Sequence, residues 1–311
     1  MTSPFVSPHA ATCPQNLIDL ANTFATPRVA IACAGAPLPM QAAKKSVEMD
    51  IMIPVFVGKA DLIRAEAAKL DWDISGYALH DTDTEEDAGR IAAAICGAGD
   101  ADVLMKGDIK SNVFLSGALR KESGLRTDQR LVHIFHISPP GGGKPMLISD
   151  AAVNVTPDLA VRKIAMRRVA DLLQMLGTER PKIAILSASE KPIPAVPSSM
   201  DARALADWAV ENMPDADVSG PLALDLILSS ESAAIKHLTD DPVAGRADAI
   251  IVPDVISGNA IFKAFVYLAG GCAAGIVSGA KVPLLLTSRA DPVAARLASV
   301  ALANITCGLP K

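Results

Sequence analysis

The stretch PMLISDAAVNVTPDLAVRKIAMRRVADLLQMLGTERPKIAILS, residues 145–187, decides the fold. Its apolar opening, PMLIS (145–149), reads as a short buried strand bounded by turn residues. Thr156 and Pro157 read as N-cap and first helical residue: the threonine hydroxyl accepts an orphan amide, and proline at that position gives up no bond. Val161, Ala165, Val169, Leu172 and Leu176 then recur at helical spacing and form one apolar face. Gly177 supplies the left-handed residue after the helix. KIAILS (182–187) is a second buried strand. Strand, helix and strand in this order form a βαβ unit, whose strands pair in parallel.

The same rhythm extends over most of the 311 residues. Strands are expected at VAIAC (29–33), PVFVG (54–58), ADVLM (101–105), LVHIFHI (131–137), DAIIV (248–252), AAGIV (273–277) and VPLLLT (282–287), with helical stretches between most of them. Half of the chain is apolar but only 4% is aromatic, so Ala, Val, Ile and Leu must build the core. That palette suits strands buried on both faces beneath Ala-rich helices. At roughly 150 residues per domain the length predicts two domains. The glycine- and proline-rich run Ser138–Pro145 cannot continue a helix or an inner strand. It reads as a long hairpin-like connection near a domain boundary, and Glu190–Ser199 as a proline-stiffened loop.

Charge and cysteine use bound the function. Lys and Arg number 29 against 34 Asp and Glu, a net −5, so no basic field exists for nucleic acid or anionic lipid. An anionic substrate has to be met by a few local cations. Cys13, Cys33, Cys96, Cys272 and Cys307 form no CxxC pair, which argues against a disulfide framework or a structural zinc. The first eleven residues carry neither a basic n-region nor an apolar h-region, so no signal peptide is expected. Ala264–Ala280 is uncharged, yet its four glycines fit a helix end, a turn and a buried strand better than a membrane span. These features predict a soluble, cytoplasmic protein.

Several chemistries can be set aside. His133 and His136 are three apart in a strand-like run and so face opposite sides, while the other histidines are isolated; no metal site is expected. Gly141-Gly142-Gly143-Lys144-Pro145 lacks the hydroxyl residue that a P-loop places after its lysine. No GxGxxG follows a strand and no GxSxG elbow occurs.

Polar clusters remain at the C-terminal ends of strands, where open α/β sheets bind ligands. Lys106, Gly107, Asp108, Lys110 and Ser111 follow ADVLM and open a helix; lysines beside free helix-start amides make an anion site. Asp150 and Asn154 follow PMLIS, with Asp150 either orienting a ligand or bonding its own turn. Ser257, Gly258 and Asn259 follow DAIIV at a helix start, with Lys263 a turn beyond Asn259. Ser288 and Arg289 follow VPLLLT, and an arginine there offers bidentate bonds to phosphate. Asp291 and Pro292 also read as N-cap and first residue of the last helix. Arg162, Lys163, Arg167 and Arg168 read as a solvated helix face.

At these residues the sequence resembles the phosphate acetyltransferase/phosphate butyryltransferase (phosphotransacylase) family. The matching pieces are ADVLMKGDIKSNVF (101–114), GLRT (124–127), SDAAVNVTPD (149–158), VSGPLALD (218–225), ADAIIVPDVISGNAIFKAFVYLAGG (247–271) and VPLLLTSRAD (282–291). The last two are the most specific, a Pro-x₄-Gly-Asn-x₃-Lys block and a Ser-Arg pair ending a strand.

The resemblance implies reversible transfer of a short acyl group, acetyl or butyryl, between CoA and inorganic phosphate. CoA would be a substrate, with no metal or other cofactor. It implies two three-layer α/β/α domains with mostly parallel sheets and a cleft between them, similar to the isocitrate/isopropylmalate dehydrogenase-like fold. Residues 1–135 with 280–311 would form the first domain, and 136–279 the second, carrying a homodimer interface. Ser288 would supply a transition-state hydroxyl and Arg289 a phosphate or carbonyl ligand. Asp291 would be the base for the CoA thiol or only a helix cap, with Asp150 or Asp254 as other bases. The alternatives are an NAD(P)-dependent decarboxylating dehydrogenase of the same fold and a non-catalytic CoA-binding relative.

Overall fold

Residues 3–288 and 291–311 are described by a computed structural model of the chain. The β-branched runs become strands: β1 (Arg28–Ala32), β2 (Ile53–Gly58), β3 (Leu79–Asp81), β4 (Val103–Lys106), β5 (Val132–Ser138), β6 (Met146–Ser149), β7 (Lys182–Leu186), β8 (Asp217–Leu222), β9 (Ala249–Ile251), β10 (Cys272–Ser278) and β11 (Leu284–Leu285). Two of them, β3 and β8, are absent from the sequence reading. Both are last in their row of strands. The first is three residues long and carries His80 and Asp81; the second contains Gly220 and Pro221. Edge strands tolerate charge and proline because one side makes no ladder, and so their sequences lose the strand signature.

The chain forms two compact units. One joins Ala11–Leu131 with Cys272–Lys311; the other joins Val132–Gly271 with the described residues of Met1–Ala10. The chain therefore changes unit at the starts of β5 and β10, where the sequence reading has it do so after residues 135 and 279. Each strand stays whole within one unit. Ser7 ties the N-terminal segment to the second unit by donating its N–H to the Tyr267 carbonyl at 2.8 Å.

In the first unit the strand order is β3-β2-β1-β4-β11-β10, parallel except for β10 against β11. The helices Pro37–Glu48 and Val293–Cys307 pack together, and Glu85–Ala98 packs with Ser111–Leu119. Because β2 lies on one side of β1 and β4 on the other, the winding reverses at the β1–β4 pair. The C-terminal ends of these strands are where such a sheet leaves a crevice.

The second unit runs β5-β6-β9-β7-β8, parallel except for the β5–β6 hairpin. That hairpin contains the Pro139–Pro145 connection. The helix expected after Thr156 spans Leu159–Met175, and its N-cap is Asp158, whose carboxylate accepts the Val161 N–H at 2.8 Å. Carboxylate caps serve as well as hydroxyl caps, and here the capping position falls two residues later.

The basic face of this helix is not simply solvated. Arg162 is buried and pairs with Asp201, Arg167 bonds Asp171 and Asp215, and Lys163 sits over the Trp208 ring. Arg162 and Lys163 thereby fasten the helix to its neighbour Pro197–Asn212, and Arg167 ties it to the segment that follows that neighbour. The uncharged stretch 264–280 is a single π-helical segment, Ala264–Leu268, then a glycine turn and β10. Among the described residues no helix is long and apolar enough to cross a membrane.

Candidate active site

In the first unit the neighbours β4 and β11 run parallel, with Leu104 opposite Leu284 and Met105 opposite Leu285. Their C-terminal turns, Lys106-Gly107-Asp108 and Thr287-Ser288, therefore emerge side by side. The Thr287 hydroxyl donates to the Lys106 carbonyl at 3.3 Å. Lys106 is buried, an unusual position for an ammonium and one that demands compensating charge. Gly107 is dictated by crowding: a Cβ there would lie 2.3 Å from the Cys33 carbonyl oxygen and 2.6 Å from that of Ala32. The β4 turn is thus pressed onto the end of β1, and Gly107 and Asp108 donate their N–H groups to Ala32 and Cys33.

Ser288 is held by its backbone. Its N–H donates to the Asp291 carboxylate at 2.6 Å, and its carbonyl accepts from Arg296 at 2.9 Å. Asp291 does not cap the last helix, as one reading of the sequence had it. That helix is Val293–Cys307, with Pro292 at the N-cap position, and the Asp291 side chain turns back to Ser288. Burial raises the Asp291 pKa, against the opposing Ser288 N–H, Arg296 and Lys106. Arg289 lies outside the described residues.

Lys110 and Ser111 follow on the helix Ser111–Leu119, both exposed. The amide of Lys110 donates to the Glu85 carboxylate at 3.1 Å. An acidic side chain therefore occupies part of the helix start that the sequence offers to an anion.

In the second unit β6 and β9 are parallel neighbours, with Ser149 opposite Ile251. Their turns meet: Val252 and Val255 donate their N–H groups to the Ser149 and Val155 carbonyls at 2.9 and 3.1 Å, and Gly258 lies against Ala151. Gly258 makes this approach possible, since a Cβ there would stand 2.9 Å from both the Ala151 Cβ and Val252 Cγ2. Asp150 is buried and accepts four bonds: from the N–H groups of His133, Ala152 and Val153 at 3.0, 3.0 and 2.9 Å, and from the Asn154 amide at 2.7 Å. Its carboxylate organises its own turn, the second of the two readings. Asp254 caps the helix Val255–Lys263, accepting from the Ser257 N–H and hydroxyl. Lys263 is the last residue of that helix, about 9 Å along the axis from Ser257 at a rise of ~1.5 Å per residue. It is exposed and is not gathered at the helix start.

His133 is buried with neither ring nitrogen hydrogen-bonded, and burial pushes it down to about 4, against the pull of Asp150. Burial likewise lowers His136 to about 4. Neither is poised as a base at neutral pH. Among the described residues no group of three His, Cys, Asp or Glu side chains could hold a metal.

The structure adds two residues that the sequence reading missed, Thr287 and Arg296. The signal was present: Arg296 interrupts an otherwise small and apolar helix, VAARLASVALANITC, in which every residue from Ala295 to Ile305 is buried. An ionised side chain in such a stripe calls for an acceptor nearby.

Residues 82–304 match the family model described as Phosphate acetyl/butaryl transferase. The chain belongs to this family. It is 36% identical to a phosphate acetyltransferase of Rhizobium meliloti over 262 residues, 84% of this chain and 83% of that protein. It is 31% identical to a phosphate butyryltransferase of Clostridium acetobutylicum over 282 residues, 90% of this chain and 93% of that one. The crystal structure of a branched-chain phosphotransacylase from Enterococcus faecalis superposes with a TM-score of 0.78 at 28% identity, covering 90% of this chain and 98% of that one. Each candidate residue from Lys106 to Asp291 lies inside the span matched by the transferase family.

Proposed function

We propose that this protein is a phosphate acyltransferase that moves a short acyl group between CoA and inorganic phosphate: acyl-CoA + phosphate = acyl phosphate + CoA. The family match through residues 82–304 carries this reading. Relatives named for acetyl and for butyryl transfer match at similar coverage, so the acyl class is short and the chain length is left open.

The chemistry asks for three things, and the chain offers candidates for each. A phosphate oxygen attacks the thioester carbonyl, forming a tetrahedral centre whose oxyanion needs a donor; the Ser288 hydroxyl is assigned that role. The two substrates bring phosphate groups that need fixed cations and amides. By family resemblance Arg289 is the phosphate ligand, while Lys106, Gly107, Asp108, Lys110 and Ser111 line the β4 side. The second-unit turns offer Asn154, Ser257, Gly258, Asn259 and Lys263 as further substrate contacts, with Asp150 holding their frame.

The leaving thiolate takes a proton, and in the reverse direction the thiol, with a reference pKa of about 8.5, must lose one. Asp291 is assigned this transfer. Its raised pKa makes it a stronger base than an ordinary aspartate, and it sits three residues from Ser288. Neither direction changes an oxidation state, so the reaction as written needs no redox cofactor. CoA enters this transfer as a substrate, not as a bound cofactor.

The proposal includes a cytoplasmic homodimer, with CoA and phosphate as partners rather than nucleic acid or membrane. The net negative charge supports the reading without nucleic acid or membrane, and the homodimer rests on the family resemblance. Thiol release from acetyl-, propionyl- and butyryl-CoA, with and without phosphate and with a chelator added, tests it. Release that depends on phosphate and ignores the chelator is expected. Release without phosphate, or none with any of the three, contradicts it.

A further inference from the structure

We infer that Arg296 is a positioning residue for the transfer reaction: together with Asp291 it sets the backbone of the Ser288 turn. The inference rests on the transacylase reading and extends it to a residue that touches no substrate.

Arg296 is 1% exposed, on the buried face of the helix Val293–Cys307. An ionised group is costly in such a place unless its bonds do something that an apolar residue cannot. Two of its nitrogens are committed: Nη1 donates to the Thr287 hydroxyl at 3.0 Å and Nη2 to the Ser288 carbonyl at 2.9 Å. Nε is buried with no hydrogen-bond partner among the described residues. Methionine would fill the same volume but could make neither of the two committed bonds.

The two committed bonds fall on consecutive residues of one turn. Thr287 passes the constraint on to the Lys106 carbonyl, so the β11 and β4 turns are tied together through one guanidinium. Asp291 takes the N–H of Ser288 while Arg296 takes its C=O. The peptide groups flanking the Ser288 side chain are thus clamped by an opposite-charged pair. The planar fork of arginine fits two acceptors at once, which an ammonium does not.

The helix that carries Arg296 is itself fixed. Three residues on, the Ser299 hydroxyl accepts the Gly275 N–H from β10 at 3.0 Å. The charged and titratable groups at this pair come from three places in the chain, β4 with its turn, β10 and the start of the last helix. They are Lys106 on β4, Cys272 on β10, Asp108 after β4, and Asp291 and Arg296 at the last helix. Arg296 and Lys106 both favour the carboxylate form of Asp291.

The test compares Arg296→Met and Arg296→Lys with the parent chain in the acyl phosphate plus CoA direction, across pH. Arg296→Met is expected to lose about a hundredfold in kcat, the scale of an ångström-level misplacement, with KM for both substrates within about twofold. Its acidic limb of kcat should also move to higher pH, because a cation that favours the Asp291 carboxylate has gone. Arg296→Lys should keep the limb in place and lose about tenfold in kcat, retaining the charge without the fork. If Arg296→Met does not fold, Arg296→Lys decides alone, and a parental kcat in it overturns the inference. A folded Arg296→Met with parental kcat and an unmoved limb also overturns it. A parent chain with no phosphate-dependent turnover instead removes the transacylase reading beneath it, and the inference with it.

Discussion

The Asp291 carboxylate accepts the Ser288 N–H at 2.6 Å and leaves the following helix uncapped. A helix-capping aspartate would point along the chain to its own N2 or N3 amide. Here it points back, towards the serine proposed to act on the acyl group. That geometry separates two roles that the sequence holds together.

Asp291→Asn keeps an oxygen for the Ser288 N–H but cannot take a proton near neutral pH. Turnover of acyl phosphate with CoA should fall at least about a hundredfold, the lower end for loss of a general base. The variant should melt no lower than the parent at pH 7. Burial raises the Asp291 pKa, so the folded chain holds that proton more tightly than the unfolded one. Stability from this group is present at low pH and is lost as pH rises through its folded pKa. Full activity in Asp291→Asn would leave the carboxylate a purely structural acceptor.

Ser288→Ala removes one donor from the proposed oxyanion site while the backbone clamp from Asp291 and Arg296 remains. A loss of about 10²–10³ in kcat is expected, with little change in melting temperature. Steady-state kinetics beside a thermal melt would show it. A change in KM alone would make the hydroxyl a binding group.

Gly258→Ala tests the packing that joins the second unit's turns. The added Cβ would stand 2.9 Å from Ala151 Cβ, so one turn has to shift. A cost of about 1–3 kcal/mol is expected, or roughly 2–12 °C in melting temperature for a unit of this size. Gly107→Ala should cost more, because its obstacles are backbone carbonyl oxygens. Melting temperatures equal to the parent's would show that these turns yield freely.

Much of this organisation was legible in the sequence, for physical reasons. The inner strands are apolar on both faces, so β1, β4, β7 and β9 read directly from composition. The edge strands β3 and β8 did not, since an edge tolerates Asp81 or Pro221. The ends of strands located the polar clusters, because turns must carry the residues that strands exclude. Which cluster meets which was hidden, as it depends on the order of strands in the sheet. Asp150 and Gly258 lie over a hundred residues apart, and the segments that carry them meet only because β6 pairs with β9. Arg296 was overlooked for a related reason: its acceptors, Thr287 and Ser288, are on the turn before its own helix, and helical periodicity does not report contacts made backwards.

The buried histidines predict an acid limit to stability. His133 and His136 are held uncharged, their pKa values pushed from 6.5 down to about 4 by burial. The unfolded chain therefore binds protons first as pH falls. Stability from these groups is intact above about pH 6.5 and is lost between there and about pH 4. Urea midpoints at pH 7.5, 6, 5 and 4.5 should decline across that window. His136→Leu should decline less steeply, and an equally steep decline would place the loss in other groups.

The most direct test of the whole account is whether this chain makes acyl phosphate. Purified protein is mixed with butyryl-CoA and inorganic phosphate, and the product is trapped with hydroxylamine while free thiol is counted. One butyryl hydroxamate for each CoA released, with neither formed when phosphate is omitted, is the result predicted. CoA released without any trapped hydroxamate would make the chain a thioesterase and contradict the assignment of its strand-end turns to phosphate and CoA.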